Sequence, residues 1–259
     1  MSTWLAIPSK RPPEEAEKVL KLWRERGYKL AVYRDHTDPE LADLDMQIVG
    51  CTPYPGYAMA VNSLCQHIML EDPQAEWICT GGDDVEPDAN HSAEEIAREC
   101  GEHFGTMQRS EDAISVAWDT THGTFGVMQP TGDRFAGGCI DRICGSPWMG
   151  REFCQRMNGG QGPFWPEYRH MFVDEELQNV ALKLGVLWQR PDLIHLHHHF
   201  QRESDAVESN AVYRPVPAHL VEANSPAHWD KYKALFEQRK AAGFPGCEPL
   251  ASVGAGSGR

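Results

Sequence analysis

The sequence of 259 residues lacks several features that would assign it to a familiar class. No run approaches the roughly 18 consecutive apolar residues of a membrane-spanning helix, so we expect no such helix. Basic residues are scarce, because 24 Lys and Arg stand against 38 Asp and Glu, and the net charge is −14. This balance argues against a surface built for sequence-independent nucleic-acid binding, which needs many cations on phosphates. The apolar fraction of 41 % is typical of a globular chain with a buried core.

The common nucleotide-binding and hydrolase motifs are also missing. There is no GxGxxG, Walker lysine motif, GxSxG or HExxH, so Rossmann, P-loop, α/β-hydrolase and zincin interpretations lose their usual support. The eight cysteines form no CxxC pair, which predicts free thiols in a reducing compartment. The N-terminal residues lack a basic stretch followed by an apolar one, so we expect no signal peptide and a cytoplasmic location.

Hydrophobic periodicity is clearest in the first 105 residues. Short apolar runs, typical of buried strands, alternate there with stretches whose apolar residues share one helix face. The predicted strands cover residues 4–7, 29–33, 46–49 and 76–80, and the predicted helices cover residues 13–26, 57–70 and 92–104. This alternation predicts an α/β fold with a mostly parallel, mixed sheet and helices on both faces.

The second half of the chain is less regular. Residues 105–170 are rich in glycine and are predicted to form isolated short strands and long loops. Later elements are a helix at 174–184, a strand at 192–200 and a last helix at 226–242. We predict a single domain over residues 1–200, with halves 1–105 and 106–200, followed by a C-terminal helical extension over 201–259 with a mobile tail.

An acidic turn follows the predicted strand at residues 76–80. Gly81 and Gly82 lead into Asp83 and Asp84, and two further acids come shortly after. Carboxylates at the C-terminal end of a strand in an open α/β sheet lie at the ligand crevice. Hard oxygen ligands there suit Mg²⁺ or Mn²⁺, especially an ion that also binds a diphosphate. The alternative is a solvated turn in which an aspartate caps a helix.

A histidine cluster lies late in the chain. On a strand, His195, His197 and His199 would point to one face and His198 to the other. Imidazole nitrogens bind transition metals, so at least one of these side chains is a candidate ligand. The alternative is a set of buried, hydrogen-bonded histidines.

Two other segments are candidates for chemistry. Asp174 and Glu175 follow an apolar run, where they would cap the next helix or act as a general base. The segment at residues 144–151 is apolar and aromatic although its surroundings are loop-like. Its Trp148 is either a stacking floor for a sugar or base, or part of the core.

The order of these features resembles the GT-A fold of nucleotide-sugar-dependent glycosyltransferases, over about residues 4–200. The shared features are the strand and loop at residues 7–12, the acidic turn, the acidic helix start and the late His-x-His pattern. The resemblance, closest to family-2-like members, implies Mn²⁺ or Mg²⁺ held by Asp84 and by His197 and His199. It departs from the DxD pattern of the family at Gly82, which stands where the first Asp would be.

The resemblance also implies roles for other residues. Asp174 or Glu175 matches the acid that deprotonates the acceptor in inverting members. The implied nucleotide-sugar pocket consists of Pro8, Ser9, Arg11, Asp35, Asp83 and Asp84. The implied border of the sugar and acceptor pocket consists of Gly145, Ser146, Trp148 and Met149.

The resulting expectation is a metal-dependent hexosyltransferase. It would move a sugar from a nucleotide diphosphate sugar, with a UDP-sugar favoured, to a hydroxyl of a glycan, a protein or a hydroxymethylated DNA base. A DNA acceptor is the case of phage-type enzymes, which act in the host cytoplasm, and it requires a basic strip. The candidates for that strip are Arg134, Arg142, Arg151, Arg156 and Arg169. The alternatives are a metal-dependent hydrolase or oxygenase that uses the histidine cluster, and a non-catalytic module that binds nucleotide sugars.

Overall fold

A seven-stranded mixed sheet lies at the centre of the computed structural model, which describes residues 2–50, 54–107, 123–134, 139–199, 218–223 and 225–250. The strands are β1 (Ser2–Pro8), β2 (Lys29–Asp35), β3 (Met46–Gly50), β4 (Ala75–Cys79), β5 (Val85–Glu86), β6 (Val127–Pro130), β7 (Trp148–Gly150), β8 (Leu187–Arg190) and β9 (Leu196–His197). The helices are α1 (Pro13–Glu25), α2 (Tyr57–Glu71), α3 (Ala93–Met107), α4 (Arg151–Arg156), α5 (Val173–Lys183), α6 (Ala218–Ala223) and α7 (Pro226–Ala241).

The strand order in the large sheet is β3-β2-β1-β4-β7-β6-β8. All neighbouring strands are parallel except β7, which is antiparallel to both β4 and β6. The prediction of a mostly parallel, mixed α/β sheet is therefore confirmed. A separate two-stranded sheet pairs β5 with β9 in antiparallel fashion.

Helices cover both faces of the sheet, and consecutive residues of β1 are therefore buried on both sides. Leu5 and Ile7 pack in the same cluster as α1, whereas Trp4 and Ala6 pack in the cluster that contains α2. Successive strand residues point to opposite faces, so α1 and α2 lie on opposite sides of the sheet. The prediction of helices on both faces is thus confirmed.

The chain adds strands first on one side of β1 and then on its other side. From β1 it moves through α1 to β2 and then to β3, and α2 returns it to β4 on the other side of β1. After β1 the chain enters α1, and after β4 it passes through β5 to α3, and both helices pack in the same hydrophobic cluster on one face of the sheet. The loops after β1 and β4 therefore lie side by side. The space at the carboxyl ends of these two strands, called the crevice below, is the position where ligands bind in open α/β sheets.

Residues 144–151 were predicted to form a loop, and this prediction is wrong for residues 148–151. Trp148 and Met149 belong to β7, are 0 % exposed, and lie between β4 and β6 in the middle of the sheet. Helix α4 begins directly after this strand. A strand of three residues is too short to display the alternation by which strands are recognised in sequence.

The predicted strand at residues 192–200 is mostly absent, because only Leu196 and His197 pair with another strand. Before them, the side chain of Asp88 accepts a hydrogen bond of 2.8 Å from the backbone of Ile194. Of the three histidines predicted to share one face, His197 and His199 have ring centroids 5.1 Å apart. His195 is separate from them, because its side chain is buried in the core.

The C-terminal extension packs onto the main domain. Helix α7 begins as predicted after Ser225, whose hydroxyl accepts a hydrogen bond from the backbone of His228. Tyr232, Phe236 and Phe244 belong to the same hydrophobic core as α5. The described part of the extension therefore shares the core of residues 1–200, while the predicted mobile tail at residues 251–259 lies outside the described residues.

Three of the five arginines proposed for a basic strip are engaged with the protein itself. Arg134 forms an ion pair with Asp141 at 2.7 Å, and the buried Arg156 forms one with Glu152 at 2.7 Å. Arg151 donates to three backbone carbonyls at the end of α2 and the start of β4. These three side chains do not form a basic strip.

Two other expectations bear on the described part of the chain. Within these residues, no helix is both long enough and apolar enough to cross a membrane. Seven cysteines have free thiols: Cys65, Cys79, Cys100, Cys139, Cys144, Cys154 and Cys247.

Candidate functional site

The crevice between β1 and β4 brings together four residues predicted to bind the donor. The hydroxyl of Ser9 donates a hydrogen bond of 2.7 Å to Asp83, and Arg11 Nε donates one of 2.8 Å to the other oxygen of that carboxylate. The guanidinium of Arg11 also lies 3.8 Å from Asp84. The loop after β1 and the acidic turn after β4 are therefore joined by hydrogen bonds and charge.

A buried arginine holds the loop that carries Ser9 and Arg11. The guanidinium of Arg34, on β2, donates to the backbone carbonyl of Arg11 at 2.9 Å and to that of Pro39 at 2.7 Å. Pro8, the last residue of β1, is in register with Tyr33 of β2. The position of this loop is thus fixed by the sheet.

Asp35 has a local role at the end of β2. Its carboxylate accepts hydrogen bonds of 3.2 Å from the backbone and the hydroxyl of Thr37. These bonds, with the neighbouring His36, hold the pKa of Asp35 below its usual value. Asp35 closes its own turn, and none of these bonds reaches Ser9 or Arg11.

The acidic turn meets the histidine segment at one pair of side chains. The Nε2 atom of His197 lies 3.3 Å from Oδ1 of Asp84. Burial alone would raise the pKa of Asp84, but His197, Arg11 and His199 outweigh burial and lower it. The Asp84 carboxylate is therefore ionised at neutral pH, with an imidazole nitrogen beside it.

Position 82 lies against the side chain of Asp84. A Cβ atom at position 82 would clash with the Asp84 carboxylate, which folds back over the turn. Gly82 leaves this space free. A side chain at position 82 would therefore require the Asp84 carboxylate to move from its observed position.

Several contacts hold the histidine segment against the acidic turn. The backbone of His198 donates to the carbonyl of Asp84 at 2.8 Å, and its Nε2 lies 2.7 Å from a carboxylate oxygen of Glu86. The backbone of His197 donates to Asp133 at 2.9 Å. Glu86 belongs to the predicted acidic turn, whereas nothing in the sequence marks Asp133 as a partner of the histidine segment.

His195 lies apart from this site, inside the core. Its Nδ1 is 2.7 Å from the hydroxyl of Ser146, which donates to the carbonyl of Thr80. Burial lowers the pKa of His195 to about 4, so the ring is neutral at physiological pH. For His195 the structural interpretation, a buried and hydrogen-bonded histidine, is the one observed.

The described residues contain no group of three or more His, Cys, Asp and Glu side chains that could hold a metal ion. The His199 ring lies 5.1 Å from the His197 ring, so it is near the pair but does not complete a three-ligand site. Of the predicted ligands, Asp84 and His197 form the close pair.

Asp174 lies on the Tyr57 side of the same crevice. The Tyr57 hydroxyl contacts the hydroxyl of Thr80 at 3.0 Å and donates to the carbonyl of Gly81 at 3.3 Å, directly before the acidic turn. Burial raises the pKa of Tyr57, and the nearby charge of Asp174 contributes to the increase. Burial also raises the pKa of Asp174, despite a hydrogen bond from the backbone of Glu175.

Glu175 is placed differently. Burial and the charge of Asp174 raise the pKa of Glu175, whereas Lys240 and Arg142 lower it. Its electrostatic neighbours therefore include α7 and the loop before β7. Of the two predicted bases, Asp174 is the one whose charge acts on the pKa of Tyr57.

The predicted acceptor border is not assembled from the four residues named for it. Trp148 and Met149 are fully buried strand residues, and Ser146 is buried with its hydroxyl bonded to Thr80 and His195. Gly145 is exposed, and Ser146 packs under Gly81. Ser146 and Trp148 are buried beneath the residues of the crevice, so a substrate cannot contact them.

No protein-family model matches the chain, and the comparison with curated proteins found no significant match. The function of this chain is therefore inferred from its own residues.

Proposed function

We propose that this chain is a GT-A-like, metal-dependent glycosyltransferase that moves a sugar from a nucleotide diphosphate sugar to an acceptor hydroxyl. The proposal is carried by the pairing of Asp84 with His197, next to Arg11 and Asp83, in the crevice between β1 and β4. In this arrangement, metal ligands, a cation and hydrogen-bonding groups surround the position where a diphosphate would lie.

The two proposed protein ligands fit a divalent ion that also binds the substrate. Asp84 Oδ1 and His197 Nε2 are 3.3 Å apart. Two ligands at neighbouring corners of an octahedron with bonds of about 2.1 Å lie about 3.0 Å apart, so both atoms could bind one ion after a small adjustment. Mg²⁺ typically takes one or two protein ligands and completes its shell with water and phosphate oxygens. The imidazole favours Mn²⁺, because nitrogen ligands suit first-row transition ions better than Mg²⁺.

The donor side of the proposed site consists of Ser9, Arg11 and Asp83. Arg11 is paired with three carboxylates, those of Glu15, Asp83 and Asp84. Its contact with Asp84 is the longest of the three, and a phosphate oxygen could replace it. A bound divalent ion would neutralise negative charge that develops on the departing diphosphate. Arg11 would add a second positive charge at the same oxygen atoms.

Asp174 is the proposed general base. A carboxylate with a raised pKa accepts a proton more readily, and burial raises that of Asp174. The acceptor hydroxyl would transfer its proton to Asp174 while its oxygen forms a bond to the anomeric carbon. The bond from that carbon to the β-phosphate oxygen breaks, and the nucleoside diphosphate leaves with the electron pair. Attack from the side opposite the leaving group inverts the anomeric centre.

The proposal includes a donor, an acceptor and a compartment. We favour a UDP-sugar as donor, and the acceptor carries a hydroxyl group. The free thiols of the described cysteines agree with a reducing compartment such as the cytoplasm.

The hydrolase or oxygenase alternative is less well supported. Hydrolytic zinc sites use three protein ligands and an open position, and non-haem iron oxygenases use two histidines and a carboxylate. The described part of the chain contains no group of three such side chains. A site with two protein ligands fits an ion whose shell is completed by a substrate.

Calorimetry with UDP, in the presence and absence of Mn²⁺, tests the proposal. We expect wild-type protein to bind UDP in a Mn²⁺-dependent manner and Asp84→Ala to weaken this binding by about tenfold or more. The matched control is Glu94→Ala, which removes an exposed carboxylate from α3. Tight binding of Zn²⁺ with no effect of UDP or GDP would overturn the proposal. Slow, Mn²⁺-dependent hydrolysis of one nucleotide sugar would distinguish an enzyme from a binding module.

A further inference from the structure

Three buried polar atoms in one aromatic cluster have no hydrogen-bond partner among the described residues. They are the hydroxyl of Tyr28, the indole nitrogen of Trp148 and Nε2 of His195. None of these three residues is more than 4 % exposed. Buried polar groups in folded proteins are nearly always hydrogen-bonded, either to the protein or to ordered water. Three such atoms in one cluster therefore point to a partner that binds between them.

Ring contacts join the three side chains. The ring centroids of Tyr28 and Trp148 are 5.4 Å apart. The ring of Trp23 lies edge-on to both Tyr28, at 4.7 Å, and His195, at 5.1 Å. Trp23 donates its own indole proton to the carbonyl of Val85 at 2.8 Å, so it is a wall of the cluster that needs no further partner. The three atoms thus belong to one continuous group of side chains.

The contacts of His195 show what its Nε2 atom needs. Its Nδ1 atom lies 2.7 Å from the hydroxyl of Ser146, and the single proton of that hydroxyl is donated to the carbonyl of Thr80 at 3.1 Å. Nδ1 therefore carries the ring proton and donates it to Ser146, which leaves a lone pair on Nε2 of the neutral ring. Nε2 accordingly requires a hydrogen-bond donor.

Tyr28 and Trp148 provide two donors in the same cluster. An indole nitrogen can only donate, and burial raises the pKa of Tyr28, so its hydroxyl keeps its proton. Neither group bonds to the other or to Nε2 of His195. A molecule that joins all three must both donate and accept, and it must be small because the three atoms are closed off from solvent. Water meets these requirements.

We infer that this cluster binds an internal water molecule that donates to Nε2 of His195 and accepts from the Tyr28 hydroxyl and the Trp148 indole. Three hydrogen bonds are the typical number for a buried water. Through His195 and Ser146, this water would support Thr80, which directly precedes the two glycines of the acidic turn. The inference does not depend on the proposed glycosyltransferase function.

High-resolution crystallography, combined with thermal unfolding of Tyr28→Phe, tests this inference. In the wild type, electron density for a water should lie within hydrogen-bond distance of the three atoms. Tyr28→Phe keeps the ring and removes only the hydroxyl, so the water loses one bond and the Tm should fall by about 2–4 °C. If the hydroxyl had no partner, its removal would leave the Tm unchanged or raise it.

The matched control is Tyr168→Phe, which removes a buried hydroxyl that donates to Glu176 at 2.7 Å. This variant should also lower the Tm, but it should leave the water and His195 unchanged. Nitrogen NMR on histidine-labelled protein adds a second measurement. It should show the proton of His195 on Nδ1, and the signal of Nε2 should move in Tyr28→Phe and stay in place in Tyr168→Phe.

Three outcomes would overturn the inference. The first is a crystal structure that shows ordered waters elsewhere in the core and none among these three side chains. The second is a Tm of Tyr28→Phe that is equal to or higher than that of the wild type. The third is a proton on Nε2 of His195, because the atom would then be a donor.

Discussion

The Nε2 atom of His197 and the Oδ1 atom of Asp84 lie 3.3 Å apart, although 113 positions separate the two residues in the sequence. A two-stranded sheet, β5 with β9, brings them together at the carboxyl end of β4. The pair is held by backbone and side-chain contacts of the protein itself. The protein alone holds the two side chains in place, and such an arrangement would reduce the cost of binding the proposed cation.

Replacement of His197 tests the second half of this pair. His197→Ala should weaken Mn²⁺ binding in the presence of UDP by at least the roughly 10–100-fold that loss of an outer-sphere partner costs. The Mn²⁺ affinity can be measured by electron paramagnetic resonance of the free ion. His67→Ala is the matched control, because His67 is exposed on α2 and bonds only to its own helix. Equal Mn²⁺ affinity in the two variants would contradict the assignment of His197 as a metal ligand.

Restoring the DxD pattern should impair the site. Gly82→Asp supplies the aspartate that the family resemblance expects, but its Cβ would clash with the carboxylate of Asp84. We expect Mn²⁺-dependent UDP binding to weaken by about tenfold, because the carboxylate must move away from His197. Gly101→Ala is the control, since a Cβ there meets no atom within 4 Å. Tighter binding by Gly82→Asp would contradict the observed turn geometry.

The buried ion pair of Glu176 and Arg239 should dominate the attachment of α7. Arg239→Met leaves an unpaired buried carboxylate and should lower the free energy of unfolding by about 3–5 kcal/mol in urea denaturation. Combining it with Glu176→Leu should recover part of this loss, because no buried charge then remains. Arg98→Ala, which breaks an exposed pair on α3, should cost less than about 1 kcal/mol. A double variant less stable than Arg239→Met alone would contradict this explanation.

Asp72 should make the fold sensitive to acid. Burial opposes its ionisation, but hydrogen bonds from Lys29, Ser2 and Trp4 outweigh burial and hold its pKa well below the usual range. The folded pKa is lower than the unfolded value of about 3.9, so this stabilisation is present above that pH and is lost as pH falls further.

Asp72→Asn should therefore lose about 2 kcal/mol at neutral pH and show a weaker dependence of stability on pH below about 5. Glu71→Gln, at the exposed neighbouring position, should behave as the wild type does. Urea denaturation at a series of pH values measures both effects. An unchanged pH dependence in Asp72→Asn would show that other acids are responsible.

The sequence predicted the donor side of the crevice better than the acceptor side. Asp84 follows a strongly apolar strand, and the strand order alone decides that the end of this strand faces Ser9 and Arg11. The apolar pattern therefore located the end of the strand, whereas the neighbourhood of β1 and β4 is known only from the fold. Trp148 was misplaced because β7 has three residues and enters the sheet through long-range pairing with β4, which no local pattern records.

Other parts of the site depend on contacts that the sequence does not display. His195 is held in the core by Ser146, which is 49 positions away in the sequence. Outside the site, the contact of Trp229 with Phe172 joins residues 57 positions apart. Periodicity identifies the faces of a helix and leaves the identity of the neighbouring element open.

The small β5 and β9 sheet also has a consequence for the order of events during synthesis. When the acidic turn leaves the ribosome, the segment that pairs with it has not been made, because His198 follows Glu86 by 112 residues. A chain that stops before β9 could contain the whole donor-side half and still have no Asp84–His197 pair. Cation binding at this pair would therefore report that translation has passed β9 and that the loop between the two segments has closed.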